Sequence, residues 1–344
     1  MTTELIEIYS PDDKDGISRV AEILKNGGIV AIPTETVYGL AADATNENAV
    51  KKIFRAKGRP QDNPLIVHIS SLEMAQPLIK AMPEKGKKLA DAYWPGPLTM
   101  IFERTEKIPA SVSAGLSTVA IRFPKDPIAK AIISGSGLPL AAPSANISGK
   151  PSPTTAKHCI DDLMGKVDAI VISHDCEVGV ESTVISMLGD TPALLRPGAV
   201  TKDDIINVIG EISVDRAVLS EPEKGKPVAS PGMKYKHYSP KAEVFLVDSD
   251  EKGFIDFVNR RTNAYAVCTE SQAKYIKIPT VIAGDDNSYT SYAHGLFSAL
   301  RELDRLCAQK AYAILPPKDG IGLAVYNRLI RAAAFRIIKP DNKE

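Results

Sequence analysis

The chain has 344 residues, 44% hydrophobic and 24% charged, a length natural for two domains and a composition typical of globular protein. Its 42 Lys plus Arg balance 42 Asp plus Glu, so no global field draws it to nucleic acid or a membrane surface. No apolar run approaches the ~20 residues of a membrane helix, and Met1-Thr2-Thr3-Glu4 puts no basic segment before an apolar one, so neither a membrane span nor a signal peptide is expected.

In chain order, Ile17, Val20, Ala21, Ile23 and Leu24 share one helical face, closed by Gly27-Gly28. A short apolar strand, 29–32, runs into Pro33. Asn46 caps a helix with apolar Ala49, Val50, Ile53 and Phe54, ending at Gly58. A strand follows at 65–69. Ser71, Asp126-Pro127, Ser152-Pro153 and Thr201 read as further helix starts. Strands are expected at 98–103, 118–123, 138–142, 168–173, 182–188 and 192–196. Together they predict an α/β domain over 1–210 with a twisted, mixed, open sheet. Residues 211–240 change character and read as a linker, and 241–344 form a smaller domain. There, strands at 243–248, 264–269, 278–283 and 311–315 alternate with helices at 250–261, 271–275, 289–308 and 321–334. Four β–α units in about 100 residues predict a small Rossmann-like parallel sheet. No G-x-G-x-x-G follows its first strand, so that shape implies no dinucleotide site.

Cys159, Cys176, Cys268 and Cys307 form no CxxC pair and no zinc-finger spacing, so free, mostly buried thiols in a reducing cytoplasm are expected. No P-loop is present, so any ATP must be held by cationic side chains and backbone N–H groups. Lys57-Gly58-Arg59 supplies two cations. On an extended backbone residues two apart point the same way, which would make one cationic edge of Lys57 and Arg59 and one polar edge of Ser144 and Asn146. Pro60 and Pro64 stiffen the loop that holds Asn63 beside the cations. Pro33-Thr34-Glu35-Thr36-Val37-Tyr38-Gly39 sets a dense polar cluster at a strand's C-terminal end, where open α/β sheets place ligands. Thr36 suits a small polar substrate; Glu35 suits a metal or the orientation of a neighbour. His68 interrupts an apolar strand, as a core imidazole or a functional one. Arg122 and Arg196 each end a strand, and a strand-end arginine suits a carboxylate. No Ser-His-Asp set, paired carboxylates or metal-ligand set stands out.

These motifs resemble the YrdC-like family in its long form with a C-terminal domain. The resemblance rests on Pro33–Leu40, Lys57-Gly58-Arg59-Pro60 with Asn63-Pro64-Leu65, and Trp94–Thr99. It continues through Arg122-Phe123-Pro124, Ala142–Asn146, Glu181–Val184, Arg196-Pro197-Gly198 and Ser230–Pro240. It implies a nucleotidyl transfer that joins L-threonine, bicarbonate and ATP into threonylcarbamoyl-AMP and pyrophosphate, for threonylcarbamoyl-adenosine in tRNA. Carried over by position, Thr36, His68, Arg122, the Ala142 backbone and Ser182 would hold threonine. Lys57, Arg59, Asn63, Thr118, Ser144, Asn146, Ser152 and Arg196 would hold ATP, with Lys57 and Arg59 as the catalytic cations. Mg2+ is expected on the phosphates without a protein cage, and the product would pass to a tRNA threonylcarbamoyl transferase complex. A weak direct tRNA contact stays open. Leu40-Ala41-Ala42 departs from relatives that carry a glycine there. The basic, aromatic block Lys234–Tyr238 reads as a strap over ATP, with Tyr235 or His237 on the nucleotide, or as a solvated linker. The rival reading is a non-catalytic RNA-binding module of the same fold; no RNP-type motif supports it.

Overall fold

The computed structural model describes residues 2–220, 238–285 and 288–340, in two compact units. Short stretches Gly149–Pro151 and Val178–Val180 group with the second unit, and the rest of the chain up to the linker forms the first. Tyr235 and His237 lie outside the described residues.

The first unit opens with β1 (Glu4–Glu7), α1 (Lys14–Lys25), β2 (Val30–Ile32), β3 (Gly39–Asp43) and α2 (Glu47–Lys57). It continues through β4 (Ile66–His68), α3 (Leu72–Ala75), α4 (Glu84–Tyr93), β5 (Leu98–Glu103), α5 (Ala110–Ser113) and β6 (Thr118–Arg122). Next come α6 (Pro127–Ser136), β7 (Leu140–Ala141), α7 (Ala156–Leu163), β8 (Ala169–Ile172), β9 (Thr183–Ser186), β10 (Ala193–Arg196), α8 (Lys202–Ile209) and β11 (Ser213–Val214). Among the described residues these strands form one eleven-stranded mixed sheet, ordered β1-β8-β2-β3-β7-β4-β6-β5-β9-β10-β11. The sheet runs past residue 210: β11 pairs with β10, and a 3-10 turn, Arg216–Val218, follows.

Local chemistry explains the helix ends. Asn46 accepts from the N–H groups of Asn48 and Ala49 at the start of α2, and Gly58 closes it with φ +61°. Asp126 caps α6 ahead of Pro127, and Thr201 with Asp204 makes a capping box on α8. The expected start at Ser152 is corrected: α7 begins at Ala156 under Thr155, whose hydroxyl takes the His158 N–H, and Ser152 is buried elsewhere. Three strands of this unit escape the sequence reading, β1, β3 and β11. The first core packs Val20 and Leu24 of α1 and Ile128, Ile132 and Ile133 of α6 against Ile6, Val30, Ala41 and Val171 of the sheet. Full burial of each such Val, Leu or Ile is worth roughly 1.5–3 kcal/mol.

The second unit contains β12 (Glu243–Val247), α9 (Glu251–Asn259), β13 (Tyr265–Thr269), α10 (Glu270–Ala273), β14 (Thr280–Gly284), α11 (Tyr289–Arg305), β15 (Lys310–Ile314), α12 (Gly322–Ala332) and β16 (Ile337–Ile338). Its sheet, β14-β13-β15-β12-β16, is parallel throughout, with one short strand beyond the four expected. Cys159, Cys176 and Cys268 are buried free thiols; Cys307 is exposed.

The Asn46 cap lies at the far end of α2 from Lys57. Asn46→Ala should cost about 1 kcal/mol of stability, read as a lower melting midpoint, while turnover stays within about twofold.

Candidate active site

Strands β4, β6, β5 and β9 lie side by side. Their register aligns His68 with Arg122, Arg122 with Thr99, and Thr99 with Val184. Side chains two apart share a face. The face that buries Ile66, Ala120, Ile101 and Val184 therefore turns polar two residues along, at His68, Arg122, Thr99 and Ser182. Ser182 and Thr99 share a hydroxyl–hydroxyl bond of 2.7 Å. Arg196 donates to the Ser182 carbonyl at 3.0 Å and to its hydroxyl at 3.1 Å.

Arg122 sits at the centre of this strip and is only 3% exposed. Its Nη1 donates to Thr36 Oγ1 at 2.8 Å, its Nε approaches the Gly96 carbonyl at 3.4 Å, and its Nη2 lies 2.8 Å from Glu35 Oε1. Gly96 is required there, because a Cβ would stand 2.4 Å from the Tyr93 carbonyl. Glu35 Oε1 also accepts the Lys125 N–H at 3.1 Å. Burial alone would push the Glu35 carboxyl up; the Arg122 guanidinium beside it, with the Lys125 N–H, outweighs that and holds the group below its ordinary value. Glu35 thus orients a neighbour, the second role open to it in the sequence. Thr34 supports the turn, bonding Thr36 Oγ1 at 3.0 Å and donating to the Val37 carbonyl at 2.7 Å. His68 is fully enclosed, and its Nδ1 has no hydrogen-bond partner. Burial, with the nearby Arg122 cation, pushes its imidazole down to about 3, so the ring is neutral at pH 7.

A second cluster gathers around Lys57, 2% exposed at the last turn of α2. Its ammonium donates to the carbonyls of Ser144 and Asn146, the latter at 2.7 Å, and reaches Asn146 Oδ1 at 3.3 Å. Ser144 Oγ donates to the same Oδ1 at 2.6 Å. The two fragments paired in the sequence do meet, but the expected cationic edge is corrected. Gly58 is left-handed, not extended, so the flanking side chains diverge. Lys57 turns inward, whereas the half-exposed Arg59 folds back on the Asn63 and Pro64 carbonyls, both at 3.3 Å. Ser144 and Asn146 do share one side, as expected. Asn63 is fully buried, and both polar atoms of its side chain are without a hydrogen-bond partner.

The Ala145 N–H donates to the Tyr38 carbonyl and the Leu40 N–H to that of Pro143, so the 33–39 turn and the 143–146 loop form one body. Ala142 N–H bonds the Ile66 carbonyl at 3.0 Å, beside His68 on β4. Ser152 donates to Glu181 Oε1 at 2.5 Å. Thr118 stands apart, half-buried at the other end of β6, about 13 Å from Arg122 at the usual strand rise, toward α5. Sequence reasoning did not single out Thr99 or Glu181 for a role; the alternation of β5 and the Glu-Ser-Thr run were the available signals. Trp94 is structural, its indole donating to the Leu98 carbonyl at 2.6 Å.

Residues 22–198 match the family of Sua5, YciO and YrdC, described as telomere recombination, and residues 200–334 match the C-terminal domain of threonylcarbamoyl-AMP synthase. Threonylcarbamoyl-AMP synthase of Pyrococcus abyssi is 42% identical over 98% of this chain and 99% of its own length; that of Bacillus subtilis is 44% identical over 94% of each. The solved P. abyssi Sua5 complexed with L-threonine matches with a TM-score of 0.90 at 42% identity, over 98% of this chain and 99% of that one. Escherichia coli YciO, at 24% identity and a TM-score of 0.51, covers 58% of this chain and 96% of its own and shows the fold alone. The fold and site thus define a YrdC-like α/β protein. The chain belongs to the threonylcarbamoyl-AMP synthase family, in the form that carries the additional C-terminal domain.

A buried, neutral histidine makes a pH prediction. Its pKa falls from 6.5 to about 3 on folding, so below about pH 6.5 the unfolded chain binds a proton that the folded chain refuses. The stability His68 contributes is present above 6.5 and lost as pH falls toward 3, at up to about 1.4 kcal/mol per unit. Denaturant titrations of His68→Asn should show a shallower acid slope than wild type across that window.

Proposed function

We propose that this chain makes threonylcarbamoyl-AMP and pyrophosphate from L-threonine, bicarbonate and ATP. The single observation that carries this reading is its match, along nearly the whole chain, to a Sua5 solved with L-threonine. The Arg122 strip suits the amino acid. Arg122 takes the carboxylate, Thr36 and neutral His68 face the small polar side chain, and Ser182 and the Ala142 backbone complete the pocket. The Lys57 cluster suits the nucleotide, with Arg59, Asn63, Ser144, Asn146, Ser152 and Arg196 around the phosphates and sugar. Asn63 supports this, since a buried amide without partners costs about 1–3 kcal/mol until a ligand supplies them. Thr118 would serve ATP only from the α5 side.

In this reading the threonine amine takes up bicarbonate as a carbamate, whose oxygen attacks the α-phosphorus in line as pyrophosphate leaves. Such chemistry needs positioning and charge neutralisation more than a protein nucleophile. Mg2+ would enter with ATP, phosphate and water supplying its ligands. A cytoplasmic location fits the free thiols, and no helix among the described residues is long and apolar enough to cross a membrane. The product would pass to a tRNA threonylcarbamoyl transferase complex. The RNA-binding alternative has no observation in its favour.

Pyrophosphate release from ATP should need both threonine and bicarbonate, and omission of either should abolish it. Arg59→Ala is the cleaner cation test, because Arg59 is half-exposed: release should fall ~100-fold or more with an unchanged melting midpoint. Lys57→Met should lose release and stability together, since it strands two buried carbonyls. Near-normal turnover in Arg59→Ala removes that residue from the phosphate site.

A further inference from the structure

Glu35 has one feature the family reading leaves unused. Its carboxylate is 5% exposed, and Oε1 is occupied by the Lys125 N–H and the Arg122 guanidinium. Oε2 is buried and has no hydrogen-bond partner. A buried carboxylate oxygen left in this state is costly, and such groups call for a functional explanation. The charges around it sharpen the point. Arg122 and Glu35 cancel, and His68, opposite Arg122 in the β4–β6 register, is neutral. A ligand bearing only a carboxylate would add a negative charge beside Oε2, whereas a zwitterion brings its own cation to it.

We infer that Glu35 determines specificity for an α-amino acid: its Oε2 accepts the substrate ammonium while Arg122 holds the carboxylate. The pair therefore selects a zwitterion over anions of the same skeleton that lack the amine. This rests on the reading of Arg122 as the carboxylate partner.

The test is calorimetric titration of the full chain with L-threonine and with (R)-3-hydroxybutyrate, which keeps the methyl, hydroxyl and carboxylate but lacks the amine. Wild type should prefer threonine. Glu35→Gln should weaken threonine by about tenfold to a hundredfold, the range of one charge-assisted hydrogen bond, and leave hydroxybutyrate unchanged or tighter. Equal loss for both ligands would reduce Glu35 to a structural prop for Arg122 and overturn the inference, as would unchanged threonine affinity. Should Glu35→Gln not fold, Glu35→Asp retains the charge and must retain the preference; a folded Glu35→Asp without it overturns the inference equally. Failure of wild type to bind threonine would instead defeat the functional reading beneath it, and the inference with it.

Discussion

A buried ammonium fixes the arrangement on which the rest of the site depends. Removing a lysine cation from water costs several kcal/mol unless oxygens replace its hydration. Here the replacements come from 87 and 89 residues away, in the carbonyls of Ser144 and Asn146. The loop after β7 cannot move without uncovering the charge, and α2 cannot shift without releasing the loop. Ala145 and Leu40 then tie that loop to the 33–39 turn, which carries Glu35 and Thr36 against Arg122. One charge thus couples both halves of the site.

How much of this could be read from the sequence depended on the range of the interaction. α2 was legible from Asn46 to Gly58 because cap, apolar stripe and terminal glycine all lie within a dozen residues. Strand β5 was legible to the residue, since its apolar run is bounded by Pro97 and by charge. Ser152-Pro153 misled because Thr155, one turn on, offers an equally good cap; burial of Ser152 against Glu181 decided between them. Strand β3 was hidden inside a polar motif, and β1 buries a single side chain. The divergence of Lys57 and Arg59 turned on the left-handed φ of Gly58, which its place at a helix end implies and an extended backbone across it contradicts. The Glu35–Arg122 pair spans 87 positions and appears only once the sheet brings them together.

The second unit was read more easily than the first. Parallel sheets need a crossover helix after each strand, so the alternation is written openly along the chain. A mixed sheet has no such rhythm, and its order, with β7 between β3 and β4, follows no local signal.

Asn63, His68 and Glu35 each bury a polar atom that the protein leaves without a partner. Each such atom costs the fold about 1–3 kcal/mol where it stands. Groups that complete those contacts favour the folded chain over the unfolded one, by an amount that grows with the logarithm of ligand concentration. Folding and substrate binding draw on a common free energy. A small molecule that met these atoms would therefore act as a brace for the whole chain, lengthening its folded lifetime as well as filling a site.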